Sequence, residues 1–230
     1  MSIAENIAAI RAKMAAAAME AGRDPGEILL VGASKMNDAA ACRAAIAAGI
    51  DALGENRVQE MTAKLADDAY TGAPLHFIGH LQRNKVKQVV GKVDLIQSVS
   101  SLELLQEIEK TAAKQEIVQN ILLEVNIGGE AAKSGFAPEA LEEAAEAALN
   151  CPHVRVQGLM TIPPADAAVE ETRAYFDKVR ALYVDINAKL FHNDFKYLSM
   201  GMSGDYEDAI RAGATMVRVG SAIFGARHYT

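Results

Sequence analysis

The stretch Ile28-Leu29-Leu30-Val31-Gly32-Ala33-Ser34-Lys35 decides how the rest of the chain is read. Seven small or apolar residues in a row predict a strand over 28–34 that is buried on both faces, as a parallel sheet or a barrel interior requires. Side chains alternate along a strand, so Leu29, Val31, Ala33 and Lys35 share one face. The amine then stands at the strand's carboxyl end, where α/β proteins bind their ligands. A partly desolvated lysine there loses proton affinity and becomes a nucleophile toward carbonyls. A lysine that snorkels to water is the commoner use of such a position, and the stretch alone leaves both readings open.

Outward from it runs a rhythm of strands and helices. Upstream, Ile3, Ile7, Ile10 and Met14 recur at helical spacing behind Ser2, a candidate N-cap, and predict an extra N-terminal helix. Downstream, strands are expected at 51–56, 75–80, 95–99, 120–127, 154–160, 197–202 and 216–224. Helices are expected between them, near 38–48 with Gly49 past its end, on to about 69, over 82–90, and from Leu102. Three more follow: one opened by Pro138, one striped by Phe176, Val179, Tyr183, Ile186 and Leu190, and one over 205–212. Eight strands alternating with helices, without a linker between them, predict an α/β fold: a single (β/α)8 TIM barrel occupying 1–230 as one domain. A doubly wound open sheet is the alternative.

Composition sets the outer limits. A length of 230 residues suits one barrel, and 50% hydrophobic residues can fill its core. The net charge of −7 argues against a general nucleic-acid or anionic-membrane surface, which needs a clustered excess of Lys and Arg. Cys42 and Cys151, the two cysteines, have no metal-ligand spacing and fit a reducing compartment. Glu5 and Asn6 interrupt any signal-peptide core, and no apolar run reaches the ~18 residues of a membrane span. The expectation is a soluble cytoplasmic protein.

Two glycine-containing segments lie late in the chain. Met200-Gly201-Met202-Ser203-Gly204-Asp205 ends the seventh strand, and Arg218-Val219-Gly220-Ser221-Ala222 belongs to the eighth and its turn. Barrels often hold a phosphate with these two loops, because glycine lets backbone N–H groups approach an anion and serine adds donors. Either segment alone suits an ordinary capped turn; two on adjacent strands favour a phosphate site. Arg218, between Val217 and Val219, needs a lone-pair or anionic partner, and a structural ion pair would also serve. Barrel closure makes strands one and eight neighbours, which sets Lys35 beside these loops. Glu55 and Asn56 end the second strand and can reach a ligand. His76 and His80, four apart on a strand, lie too far from each other for one ion, at roughly 13 Å. Arg83, Lys85, Lys87 and Lys92 read as a solvated face, and Lys133 has no assigned purpose.

Six motifs resemble those of the pyridoxal phosphate homeostasis (YggS/PROSC) family, which is related to the N-terminal barrel of alanine racemase. They are Val31-Gly32-Ala33-Ser34-Lys35, Gly54-Glu55-Asn56-Arg57-Val58-Gln59-Glu60, His76-Phe77-Ile78-Gly79-His80-Leu81-Gln82, Gly158-Leu159-Met160-Thr161-Ile162-Pro163, Ser199-Met200-Gly201-Met202-Ser203-Gly204-Asp205 and Val217-Arg218-Val219-Gly220-Ser221-Ala222-Ile223-Phe224-Gly225. Met36-Asn37-Asp38, in place of the family's proline-containing turn, and Leu75, in place of its usual Trp, are departures beside the motifs.

The resemblance implies an alanine racemase-like barrel without the C-terminal β domain. It implies pyridoxal 5′-phosphate (PLP) on Lys35 as an internal aldimine; Asn56, from its place at the end of the second strand, joins the cofactor-binding set as a donor to a ring oxygen. Ser203, Gly204, Gly220 and Ser221 would hold the phosphate, and Arg218 would face the pyridine nitrogen. Arginine keeps its proton, so the ring stays a poor electron sink and carbanion chemistry is damped. The implied function is storage or delivery of PLP in vitamin B6 homeostasis, without robust catalysis, with PLP-dependent apo-enzymes as recipients and the protein as a monomer. A racemase is the alternative, although its second base would have to come from Tyr206 or Tyr229. A Schiff-base aldolase is a further alternative, but related aldolases carry their lysine on later strands.

Overall fold

The computed structural model describes residues 2–130 and 134–225. Helix α1 (Ile3–Glu20) begins at Ser2 with a reciprocal cap: the Ser2 hydroxyl accepts the Glu5 N–H while the Glu5 carboxylate accepts the Ser2 N–H. Ile7, Ile10 and Met14 form its buried stripe. The strands follow as β1 (Leu29–Ala33), β2 (Ala52–Glu55), β3 (Leu75–Phe77), β4 (Leu95–Val99), β5 (Gln119–Val125), β6 (Val154–Thr161), β7 (Tyr197–Ser199) and β8 (Met216–Val219). Between and after them lie α2 (Ala39–Ala47), α3 (Val58–Ala66), α4 (Leu102–Lys114), α5 (Leu141–Leu149), α6 (Val169–Leu190), α7 (Tyr206–Arg211) and α8 (Ser221–Phe224).

All neighbouring strands are parallel and run in chain order around a closed barrel, so β1 pairs with β8 and Val31 lies opposite Arg218. Alternation divides each strand between two cores. Val31, Ala52, Leu95, Leu122, Met160 and Met216 pack inside the barrel, whereas Leu30, Leu53, Phe77 and Ile96 join the larger core under the helices. Gly158 is required by the β6–β7 seam: its φ is +147°, and a Cβ there would meet the Tyr197 carbonyl.

The expected barrel is observed, with differences at element ends. The eighth strand stops at Val219, and Ser221–Phe224 form a single helical turn in which Ile223 and Phe224 N–H groups bond the Gly220 carbonyl. A short buried apolar run reads the same as strand or helix; α1 settles it by packing on α8, with Asn6 Nδ2 donating to the Ile223 carbonyl. The expected helix over 82–90 is 3₁₀ over Arg83–Gln88. The first, third and seventh strands are shorter than expected, ending at Ala33, Phe77 and Ser199. Among the described residues no helix is long and apolar enough to cross a membrane.

Candidate functional site

Lys35 lies two residues beyond β1, and the strand's alternation carries it to the mouth of the barrel. It lines a cavity of about 280 Å³ with Ala33, Ser203, Gly204, Arg218, Gly220 and Ser221. Six of the seven candidate residues therefore converge there. The seventh, Asn56, follows directly on β2 and stands outside that lining; its Oδ1 is buried without a hydrogen bond. Its backbone is tightly seated, since a Cβ on Gly79 would come within 2.2 Å of the Asn56 carbonyl oxygen. A larger hollow of about 620 Å³ lies by α6, lined by Ile127, Ala137 and Leu182 among others, but it holds none of these residues.

The backbone around Lys35 is fixed from α3. Lys64 Nζ donates to the Ser34 carbonyl at 2.8 Å and to Glu55 Oε1 at 2.6 Å. Glu55 Oε1 also accepts from Ser34 Oγ at 2.6 Å and from Tyr70 Oη at 3.0 Å. Burial and the Glu55 charge push the Tyr70 phenol well above its ordinary range. One turn earlier on the helix, Glu60 accepts the Met36 N–H at 2.8 Å. Met36 adopts φ +62°, an uncommon left-handed conformation for a non-glycine residue, which these bonds hold in place. Asn37 Nδ2 closes the turn on the Lys35 carbonyl at 3.0 Å.

On the opposite wall, the Ser203 hydroxyl accepts the Gly220 N–H at 3.3 Å and lies 3.3 Å from the Ser221 hydroxyl. The Ser221 and Ala222 amides follow directly and have no acceptor within the turn, whereas those of Ile223 and Phe224 bond the Gly220 carbonyl. The missing side chain of Gly220 lets β8's end approach β1, since a Cβ there would sit 3.3 Å from the Ala33 carbonyl oxygen. Arg218 is buried at 4% exposure, donating to Ser199 Oγ at 2.5 Å and to the Thr161 carbonyl at 2.9 Å. Two of its five N–H donors are thus used, and no carboxylate comes within ion-pair range among the described residues. Burial pulls the guanidinium down to about 10, opposed by the more distant charges of Glu124 and Asp205, so it stays charged at neutral pH.

The remaining candidates separate. His76 points into the barrel, while His80 is exposed at the mouth. Among the described residues no cluster of His, Cys, Asp and Glu could hold a metal. Arg83 and Lys87 are exposed, as a solvated face requires. Lys133 and Tyr229 lie outside the described residues. Sequence reasoning missed Lys64, Ser199 and Gln97. The last two carried a signal: Leu95 with Gln97, and Tyr197 with Ser199, share the interior parity of their strands.

The family model for the alanine racemase N-terminal domain matches residues 2–228. The chain belongs to that family. It is 43% identical over 229 residues to the pyridoxal phosphate homeostasis protein of Aquifex aeolicus, covering 100% of both chains. It is 43% identical to the protein of the same name from Pseudomonas aeruginosa, covering 99% of this chain and 97% of the relative. Among solved structures it is similar to PipY of Synechococcus elongatus with PLP bound, at TM-score 0.84 and 32% identity, covering 97% of this chain and 100% of PipY.

Proposed function

We propose that this chain is a pyridoxal 5′-phosphate homeostasis protein that holds PLP on Lys35 and passes it to PLP-dependent apo-enzymes. The observation that carries the reading is the meeting of an amine, two hydroxyls and a buried charged guanidinium around one cavity. The residues present fit the cofactor: Arg218 is buried with donors to spare and no carboxylate in contact among the described residues, which is the state of a group whose acceptor is a ligand. When bound, PLP supplies an aldehyde carbon open to attack by an amine and a phosphate dianion.

The chain's own residues divide that task. Ser203, Gly204, Gly220 and Ser221 would hold the phosphate, using the two serine hydroxyls and the Ser221 amide at the start of α8. Arg218 would donate to the pyridine nitrogen without surrendering its proton, so the residues give little support to carbanion chemistry. Lys64 and Glu60 keep the Lys35 backbone facing the cavity. Asn56, with its orphan Oδ1, serves as a secondary contact for the cofactor. Tyr206, a candidate second base for a racemase, is buried in α7 and does not line the cavity, which supports a carrier over a racemase.

The test is covalent capture. Wild-type protein incubated with PLP and reduced with borohydride should gain one cofactor mass on the peptide carrying Lys35, and Lys35→Ala should gain none. Capture at another lysine in the variant at the wild-type level would refute the assignment. Transfer from the loaded protein to an apo-enzyme, in the presence of an enzyme that destroys free PLP, separates delivery from storage.

A further inference from the structure

The barrel has a second opening, at the amino-terminal ends of its strands. A cavity of about 270 Å³ there is lined by Leu29, His76, Asp94, Leu95, Arg155 and Lys196 among others. His76 is only 6% exposed, and a chain of buried side chains joins it to Arg218. Arg218 Nη1 lies 2.5 Å from Ser199 Oγ, Ser199 Oγ lies 2.6 Å from Gln97 Oε1, and Gln97 Nε2 lies 3.0 Å from His76 Nδ1.

The direction of every proton in this chain follows from its first member. A guanidinium only donates, so Ser199 accepts from it and gives its own proton to Gln97 Oε1. The Gln97 amide N–H₂ then faces His76, whose Nδ1 must accept. Burial pulls the imidazole down to about 4, so at neutral pH its single proton sits on Nε2. Nε2 has no acceptor among the described residues, and its ring forms part of the cavity wall. That N–H opens onto the cavity, where solvent or a ligand can accept from it, at the foot of an interior otherwise packed by Val31, Ala52, Leu95 and Met216.

The rim carries both signs of charge. Arg155 and Lys196 have no carboxylate partner among the described residues. Asp94 Oδ2 accepts the Leu75 N–H, and its other oxygen has no partner among the described residues, whereas Asp51, the other carboxylate of the rim, is paired with Arg11 at 3.0 Å. A plain anion would meet Asp94, and a plain amine would leave His76, Arg155 and Lys196 unanswered. We propose that this lower cavity is a binding site for a small zwitterion, a free amino acid, with its carboxylate toward His76, Arg155 and Lys196 and its ammonium toward Asp94. The site stands on these residues alone. Its communication with the cofactor, through Gln97 and Ser199, rests on the reading of Arg218 given above.

An amino acid can also react in the upper cavity, so the experiment seals it. Holo protein reduced onto Lys35, with ¹³C-methyl leucine and methionine, is titrated with glycine, L-alanine, L-serine and L-glutamate singly, to about 10 mM. Acetate and methylammonium are run in parallel. At least one amino acid should shift the Leu29 and Leu95 methyls saturably, leave Met202 at the upper mouth in place, and bind about tenfold more tightly than either half-ligand. Lys196→Ala, at the exposed rim, should weaken binding about tenfold, and His76→Phe should abolish it with the methyl spectrum otherwise native. The proposal is overturned if no amino acid moves Leu29 and Leu95, if acetate binds as tightly, or if both variants bind as wild type does. If reduction adds no mass at Lys35, the cofactor reading fails instead, and the titration on the unreduced protein still decides the lower site.

Discussion

Lys35 is ordinary as a residue and unusual as a position. Its neighbours on both sides are anchored by side chains of one helix, through the Ser34 carbonyl and the Met36 N–H. Lys64→Met should remove one anchor and leave Glu55 buried and uncompensated, destabilising the protein by about 3–5 kcal/mol in urea titrations. Pairing it with Glu55→Leu should recover most of that stability while PLP affinity stays about tenfold down, because the Ser34 carbonyl remains unheld. Recovery of both would mean that the pair stabilises the fold without positioning the lysine. The place of the amine at the strand's carboxyl end was legible from strand parity, while its use was not, since a snorkelling lysine has the same parity. Lys64 was not, since a lysine within an amphipathic helix looks like any solvated residue until the fold sets a buried carboxylate beside it.

Elements were legible where periodicity was long, as in α1, α4 and α6, and least legible where a few residues do two jobs. Ser221–Phe224 was read as strand because an apolar run of that length has no period of its own; its helical turn sets Ser221 against the cavity while the Ile223 and Phe224 amides bond the Gly220 carbonyl. The β2–β3 join shows how closely the elements approach. Gly79 packs against the Asn56 backbone, and the contact is backbone on backbone, so no side chain can move aside. Gly79→Ala should therefore lower stability by about 1–3 kcal/mol in thermal unfolding and displace Asn56, reducing PLP affinity without abolishing capture on Lys35. An alanine protein with unchanged stability and affinity would show that the loop shifts freely.

For the molecule as a whole, the interior chain of polar residues makes stability depend on acidity. Burial lowers the His76 imidazole from 6.5 to about 4, so below neutrality the unfolded chain takes up a proton that the folded one refuses. Stability from this group is complete above pH 6.5 and is lost as the pH falls toward 4, a loss on the order of 3 kcal/mol at about 1.4 kcal/mol per tenfold change in proton affinity. Glu124 acts in the opposite sense. Its carboxyl is raised by burial, so its contribution weakens as the pH climbs above the ordinary carboxylate value of 4.5. Unfolding free energies of wild type and His76→Phe measured between pH 7 and 4 should converge by most of the His76 amount; parallel curves would place the titration elsewhere.

The pairing of β1 with β8 also has a consequence in time. A ribosome releases Lys35 early and Ser203, Arg218 and Ser221 near the end, so the two walls of the cavity are made at opposite ends of translation. A nascent chain halted before β7 owns the amine and none of the opposite wall. If these residues hold the cofactor as proposed above, retention of PLP requires that the chain has been finished and the seam has closed, and a chain truncated before β7 should lose its PLP on gel filtration while the full chain keeps it.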